Sequence, residues 1–410
     1  MAAGVRWTPR LLVWAALLMV WEPGGTLAER FAQTYATLVA LFPGKRRPGQ
    51  SYQGFLKALI VWSPRLLGVL EPHLRTLVRT SAGSAWEVAG WVLLAVDGSR
   101  VALPHTAANL KAFGCGGKKH SSPSAWLVML LHLGTNLPWA WKIGRATADE
   151  RGLLRQMLGL LPGNALVIAD AGYTGYGFWK GLHDSGRAFL IRVGSNVRLL
   201  TKLGYAVREY DGLVYVWPEG QQKRRQAPLI LRLIVLSDGR KPVYLLSNVF
   251  DPTRLSEAQA AEFYRRRWHI ELFFRGFKQT LAKRTMRSEA PVQAALELRW
   301  AVLGLALLGL WGVQALAAAG SDVRRLSLAG ALRHLRGCLA DPARRCPRRL
   351  SLSVRLAGAR QDAYRRKAPK VSGHWPHKKN DPPAGAPKIN PATPQQILAA
   401  QALTPPRIAA

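Results

Sequence analysis

The sequence predicts a mixed α/β fold: a helical N-terminal region, an α/β core interrupted by a β-rich insertion, and a basic C-terminal end. Three observations carry that expectation. Helical text fills residues 1–85, short apolar runs beginning at Trp91 alternate with helical spacing, and strand-like runs separated by turn residues occupy 194–254. Short apolar runs bounded by turn residues read as buried strands, and strands alternating with helices imply a sheet covered by helices.

In the N-terminal region, 1–85, residues 11–20 form an unbroken apolar run behind Arg6 and Arg10. Pro9 suits the first turn of a helix. The same run imitates a signal-peptide core, but it leads into Trp21-Glu22-Pro23, a poor cleavage site. Breaks are expected at 23–25 and 43–49, with helix again at 55–60 and 66–78. Lys57, Arg65, Arg75 and Arg79 make this either a helical DNA-binding region or a solvated helical cap.

The core begins at residue 86 and its first part runs to 193. The run 91–96 should be a strand meeting a turn at Asp97-Gly98, with a return strand at 100–103. Strands are expected at 125–133 and 139–143, a helix over 147–161 with Asp149 and Glu150 in its first turn, and a strand at 165–169 ending on Asp170. A helix (176–185) and a strand (187–193) follow. Two strands thus deliver an aspartate at their C-terminal ends, where open α/β sheets place chemistry.

The insertion, 194–254, should contain strands at 197–200, 213–217, 229–236 and 243–247, turns at Asp211-Gly212 and 237–239, and a basic loop at 221–225. The second part of the core, 255–320, opens with one long helix over 257–283, capped by Ser256. Residues 301–320 carry no charge and are long enough to cross a membrane. Gly304, Gly309, Gly312 and Gln314 interrupt them, and basic residues flank both ends, which fits a helix buried in a larger core better. Residues 321–368 are basic, and 369–410 are Pro-rich without apolar periodicity, the composition of a disordered tail.

Lys and Arg number 58 against 23 Asp and Glu, a formal charge of +35 on 410 residues. Such an excess implies a polyanionic partner, nucleic acid first and anionic membrane second. The 3 cysteines form no CxxC, which argues against a disulfide framework or a thiolate zinc site.

The densest chemical signal is YRRRWHIELFFRGFK, starting at Tyr264. On an ideal helix advancing ~100° per residue, Tyr264, Arg267, Glu271 and Lys278 fall within about 60° of arc, beside a Phe-rich face. Taken alone, Glu271 with Arg267 and Arg275 reads equally as a salt-bridged stripe. Two strand-end aspartates plus Glu271 also make three hard oxygen donors of the kind Mg²⁺ takes. Two ions bridged by carboxylates activate an attacking oxygen and stabilise a leaving one, without a His or Cys base.

These residues resemble the DDE transposases of bacterial insertion sequences, in particular the insertion-sequence 4 family. The signature Tyr-x2-Arg-x3-Glu-x6-Lys is matched by Tyr264, Arg267, Glu271 and Lys278, and the two family aspartates by Asp97 in AVDGSRV and Asp170 in IADAGYTG. Where the family more often has Arg after the second aspartate, this chain has Ala171. The resemblance covers about residues 85–320. It implies an RNase H-like core with Asp97, Asp170 and Glu271 as catalytic ligands of two Mg²⁺ or Mn²⁺ ions. It implies DNA contacts from Tyr264, Arg267, Lys278 and Arg275. It further implies cleavage at the element ends, a hairpin formed on the opposite strand and reopened, and insertion into target DNA by a homodimer on paired ends, in the bacterial nucleoid of the cytoplasm.

Two other readings stand beside this one: a DNA-binding remnant without activity, and a basic membrane-associated protein. His269 falls off the helical stripe and reads as a surface or packed histidine. His374 and His377 are weak metal candidates in a Pro-rich tail. Trp268 and Trp300 read as core residues before base-stacking ones.

Overall fold

The computed structural model describes residues 6–44, 47–116, 122–206, 211–237, 242–340, 351–361 and 385–403. In chain order the elements are α1 (Pro9–Trp21), α2 (Leu27–Leu41), α3 (Tyr52–Ala82), β1 (Val92–Ala102), α4 (Ala107–Phe113), β2 (Ser124–His132), β3 (Leu137–Arg145) and α5 (Glu150–Arg155). Then come β4 (Ala165–Ala169), α6 (Tyr176–Asp184), β5 (Ala188–Val193), β6 (Arg198–Thr201), β7 (Leu213–Val216), α7 (Glu219–Lys223), β8 (Leu229–Leu236) and β9 (Val243–Ser247). The last are α8 (Glu257–Arg266), α9 (His269–Arg275), α10 (Pro291–Ala318), α11 (Leu328–Leu339), α12 (Leu352–Ala357), β10 (Lys388–Pro391) and α13 (Pro394–Gln401).

The chain forms two compact units. The first gathers Met1–Val88, Gly98–Leu153 and His269–Ala363; the second gathers Ala89–Asp97, Leu154–Trp268 and Tyr364–Ala410. The N-terminal helices are therefore not a unit of their own, because their apolar faces are buried on α10. Trp21 Nε1 donates to the Gly304 carbonyl at 3.1 Å and Trp300 Nε1 to Ser63 Oγ at 2.9 Å, both buried. The glycines that break up α10 are points of close approach. A Cβ on Gly304 would lie 2.9 Å from Val20, and one on Gly309 2.5 Å from Leu137. Among the described residues, Pro291–Ala318 is the one helix long and apolar enough to cross a membrane, and 72% of its most apolar stretch is buried in the protein. The expected core helix is what forms.

The first unit also holds the antiparallel pair β2 and β3, joined through Asn136 in the left-handed region (φ 57°). His132 at the end of β2 is fully buried, with Nδ1 2.9 Å from Thr135 Oγ1 and Nε2 3.0 Å from the Trp86 carbonyl. Gly134 is required there: a Cβ would sit 1.8 Å from the Ala85 carbonyl oxygen. Lys283 is buried as well, 3.3 Å from Glu297 Oε1. The other Glu297 oxygen accepts from the Arg287 and Ser288 amides and from Ser288 Oγ.

In the second unit the strand order is β10-β6-β7-β8-β9-β5-β4-β1. β1, β4 and β5 are parallel, and β5, β9, β8, β7 and β6 pair antiparallel in that order. Strands at all four insertion positions extend this sheet.

Five expectations need correction. Asp97-Gly98 is not a turn: β1 runs through both residues to Ala102, and the return strand at 100–103 is its continuation. The helix at 147–161 shortens to α5 and a 3-10 turn at Leu158–Leu160, although Asp149 caps it as expected, accepting from the Arg151 and Gly152 amides. The basic loop at 221–225 is largely α7. The single helix over 257–283 is interrupted: the Arg267 and Trp268 amides bond to carbonyls only three residues back, and Gly276–Thr280 is π-helical. The described part of the 369–410 tail is ordered. β10 pairs parallel with β6, and α13 carries Ala400 into an apolar cluster with Leu203, Tyr215 and Trp217.

Candidate active site

The two aspartates are placed by the sheet. β1 and β4 pair in parallel with Val92 opposite Ala165 and Val96 opposite Ala169, so Asp97 and Asp170 are the next residues on neighbouring strands. Strands pair about 4.8 Å apart, which sets the two aspartates side by side, where β4 ends and β1 runs on. Every side chain before them, from Val92 to Val96 and from Ala165 to Ala169, is buried. That apolar grip fixes the backbone beneath the two acids.

Asp170 is approached by four groups. Its Oδ1 accepts from the Tyr264 hydroxyl at 3.1 Å and from the Ala171 amide at 2.8 Å. Arg267 Nη2 stands 3.7 Å from Oδ2, and Arg192 Nη1 on β5 stands 4.0 Å from Oδ1. Arg267 also lies over the Tyr264 ring, 5.5 Å from its centroid. Burial, followed by the charge of Asp170, pushes the Tyr264 phenol up to about 12, so it is a hydrogen-bond donor at every working pH. The α8 capping box, in which Ser256 and Gln259 bond each other's backbone amides, fixes the helix that presents Tyr264.

The structure thus brings Asp97, Asp170, Tyr264 and Arg267 into the same unit. Glu271 and Arg275 lie on α9 and Lys278 in the π-helical turn, all in the other unit. The 60° stripe drawn on an ideal helix does not apply, because the chain tightens at Arg267–Trp268 and widens again at Gly276. The same tight turn leaves Trp268 55% exposed, so its core reading fails, whereas Trp300 is buried as expected. His269 is packed, its Nδ1 2.7 Å from Asn136 Oδ1. Glu150 lies against Gly98: a Cβ there would be 2.9 Å from its carboxyl carbon. His374 and His377 fall outside the described residues.

Sequence reasoning missed Arg192. Nothing local marks it; only the parallel order β1-β4-β5 sets its strand beside Asp170. It supplies a guanidinium in a neighbourhood where Ala171 offers none.

Among the described residues no group of three or more His, Cys, Asp and Glu side chains is assembled to hold a metal ion. Asp97 and Asp170 nevertheless fit a hard cation by chemistry, being two carboxylates carried on neighbouring strands, Asp97 within β1 and Asp170 just past β4.

Residues 91–307, just over half of the chain, match the family described as Transposase DDE domain. The chain belongs to that family. This DDE-domain protein is 29% identical over 227 residues to the transposase InsG for insertion sequence element IS4 of Escherichia coli (strain K12), covering 52% of this chain and 50% of that protein. It is 32% identical over 178 residues to the putative transposase y4zB of Sinorhizobium fredii (strain NBRC 101917 / NGR234), covering 41% and 45%. The chain spans about half the length of the curated relatives it matches. A cryo-EM structure of the piggyBac transposase synaptic complex with hairpin DNA aligns with a TM-score of 0.42 and 12% identity over 91% of this chain and 80% of that one, a likeness too remote for comparison of residues.

Proposed function

We propose that this transposase-family protein cleaves the ends of an insertion sequence and joins them to target DNA, with Asp97, Asp170 and Glu271 as the acids of an RNase H-like core. The observation that carries the reading is the register of β1 with β4, which sets two carboxylates on adjoining parallel strands. The signature residues Tyr264 and Arg267, together with Arg192, surround the second of them. The three acids would hold two Mg²⁺ or Mn²⁺ ions, which supply a Lewis acid for the phosphodiester and lower the pKa of a bound water.

The chain's own groups do the positioning. Tyr264 orients the Asp170 carboxylate by a hydrogen bond it never surrenders to deprotonation. Arg267 and Arg192 place two guanidinium groups beside the same carboxylate, where they face the phosphate charge of a bound strand. Lys278 and Arg275 add cations from the following helix and turn. The formal charge of +35 draws duplex DNA to the protein independently of its sequence. The partners in this reading are terminal repeats, target DNA and a second copy of the chain on paired ends, acting on nucleoid DNA in the cytoplasm.

The test is cleavage of an end-bearing duplex in Mg²⁺ or Mn²⁺. Asp97→Asn, Asp170→Asn and Glu271→Gln are each expected to abolish cleavage while gel-shift affinity persists. Full cleavage by any one of them removes that residue from the catalytic set. Binding without cleavage by the unaltered protein would overturn the enzymatic reading.

A further inference from the structure

A second concave surface lies in the second unit, apart from the acids. It is a cleft of about 670 Å³ between the start of α6, the β5–β6 turn, the β7–α7 junction and the C-terminal β10 and α13. Such a volume suits a small organic group and is too small to admit a duplex. Apolar side chains, Trp179, Val197 and Trp217 among them, share its lining with polar ones. Asn196, Gln222, Asn390 and Gln396 contribute side-chain amides; Gln222 Nε2 already donates to the Trp217 carbonyl at 2.7 Å and Gln396 Oε1 accepts from the Thr393 amide at 2.9 Å, whereas Asn390 is exposed at the rim. Arg198 and Glu219 are its charged residues, and Glu219 is bonded to Lys223 at 2.7 Å.

Lys388 of β10 lies in register with Arg198 of β6, and both are exposed. Cations directly opposite on neighbouring strands repel. An anion between them reverses the sign of that interaction, and a phosphodiester is an anion of suitable reach. Amides beside a paired cation are the donor and acceptor set that reads a base edge next to its phosphate.

Resting on the transposase reading, we infer that this cleft binds one unpaired nucleotide of a DNA strand. Its phosphate sits at Arg198, beside which Lys388 of β10 lies in register, and its base edge faces Asn390. The C-terminal segment is then one wall of a binding site. The cleft opens beside Thr174 and Gly175, in the loop that follows Asp170, so a strand leaving the acids has a short path to it.

The probes are an oligothymidylate and a duplex of equal length, titrated by fluorescence anisotropy. Arg198→Ala, Lys388→Ala and Asn390→Ala are exposed positions, and thermal melting checks that each variant folds. Each is expected to weaken oligothymidylate binding about tenfold, the scale of one charge-assisted contact, and to change duplex affinity by less than about twofold. An iododeoxyuridine oligonucleotide should crosslink to peptides containing 196–200 or 385–396. Equal loss for both probes, no loss for either, or crosslinks confined to other peptides would overturn the cleft assignment. A wild-type protein that binds no duplex would instead overturn the transposase reading itself.

Discussion

The Tyr264 hydroxyl donates to Asp170 Oδ1 at 3.1 Å, while Arg267 approaches the other carboxylate oxygen at 3.7 Å and stacks on the same tyrosine. The phenol and this guanidinium act on a single acid, together with the Ala171 amide and Arg192. Hydrogen bonds to charged groups contribute about 1.5–3 kcal/mol. Tyr264→Phe is expected to slow end cleavage about tenfold or more with little change in DNA affinity. Because the phenol titrates only near 12, the pH–rate profile of the unaltered protein should carry no step from Tyr264 below about pH 10. Single-turnover cleavage across a pH series checks both; a Tyr264→Phe protein with unchanged rate removes the residue from the site.

The Lys283–Glu297 pair concerns stability. Lys283 is 3% exposed, and burial pulls its ammonium below the ordinary lysine range despite the opposing charge of Glu297. Removing one partner strands the other in a poorly solvated site. Glu297→Gln should cost about 3–5 kcal/mol, measured by urea unfolding. Replacing both by apolar residues should cost less than the sum of the single changes, and strict additivity would show that the pair does not interact.

His132 should make stability pH-dependent. Burial lowers its pKa from 6.5 to about 4, against a weaker opposing effect from the Trp86 carbonyl. The folded state therefore binds fewer protons than the unfolded chain between those values. Its contribution is complete above about pH 6.5 and is lost progressively as the pH falls toward about 4, reaching on the order of 3 kcal/mol. Melting curves at a series of pH values should show this loss, and His132→Gln should flatten it. An equally steep fall in the variant would assign the acid sensitivity elsewhere.

Deleting residues 385–410 removes β10 and α13. Leu203, Tyr215 and Trp217 then lose the cover supplied by Ala400 and its neighbours, and the β6 edge is left unpaired. The deletion should destabilise the protein by on the order of 2 kcal/mol or more and expose the 194–254 segment to protease. Unchanged melting and an unchanged digestion pattern would make the segment dispensable for folding.

Much of this architecture is legible locally. Thr8 before Pro9 and Ser256 before Glu257 announce their helices through side chains that bond the next turn, and both caps form. The buried runs at Val92 and Ala165 announce strands by composition alone. What was misread depends on distant partners. Asp97-Gly98 has turn chemistry, yet β1 stays extended through both residues to Ala102. Residues 388–391 have no apolar alternation, and only the free edge of β6 makes them a strand. At the site, the spacing from Tyr264 to Lys278 identifies the signature, but an ideal helix is the wrong ruler for a segment with a tight turn and a π-helical end. Arg192 carries no local mark because its role arises from strand order.

The bond from Trp21 to the Gly304 carbonyl closes a loop of 283 residues. A ribosome adds about 5–20 residues per second, so α1 waits roughly 15–60 s for the helix that covers it. During that interval α1 has only α2 and α3 to pack on, and Val20, which meets Gly304 in the finished protein, is left without its cover. The side of α1 that faces α10 is thus sheltered long after α1 itself is made. Its synthesis places a standing demand on chaperones that bind emerging apolar segments, and chains interrupted before α10 enter the cell with that surface uncovered.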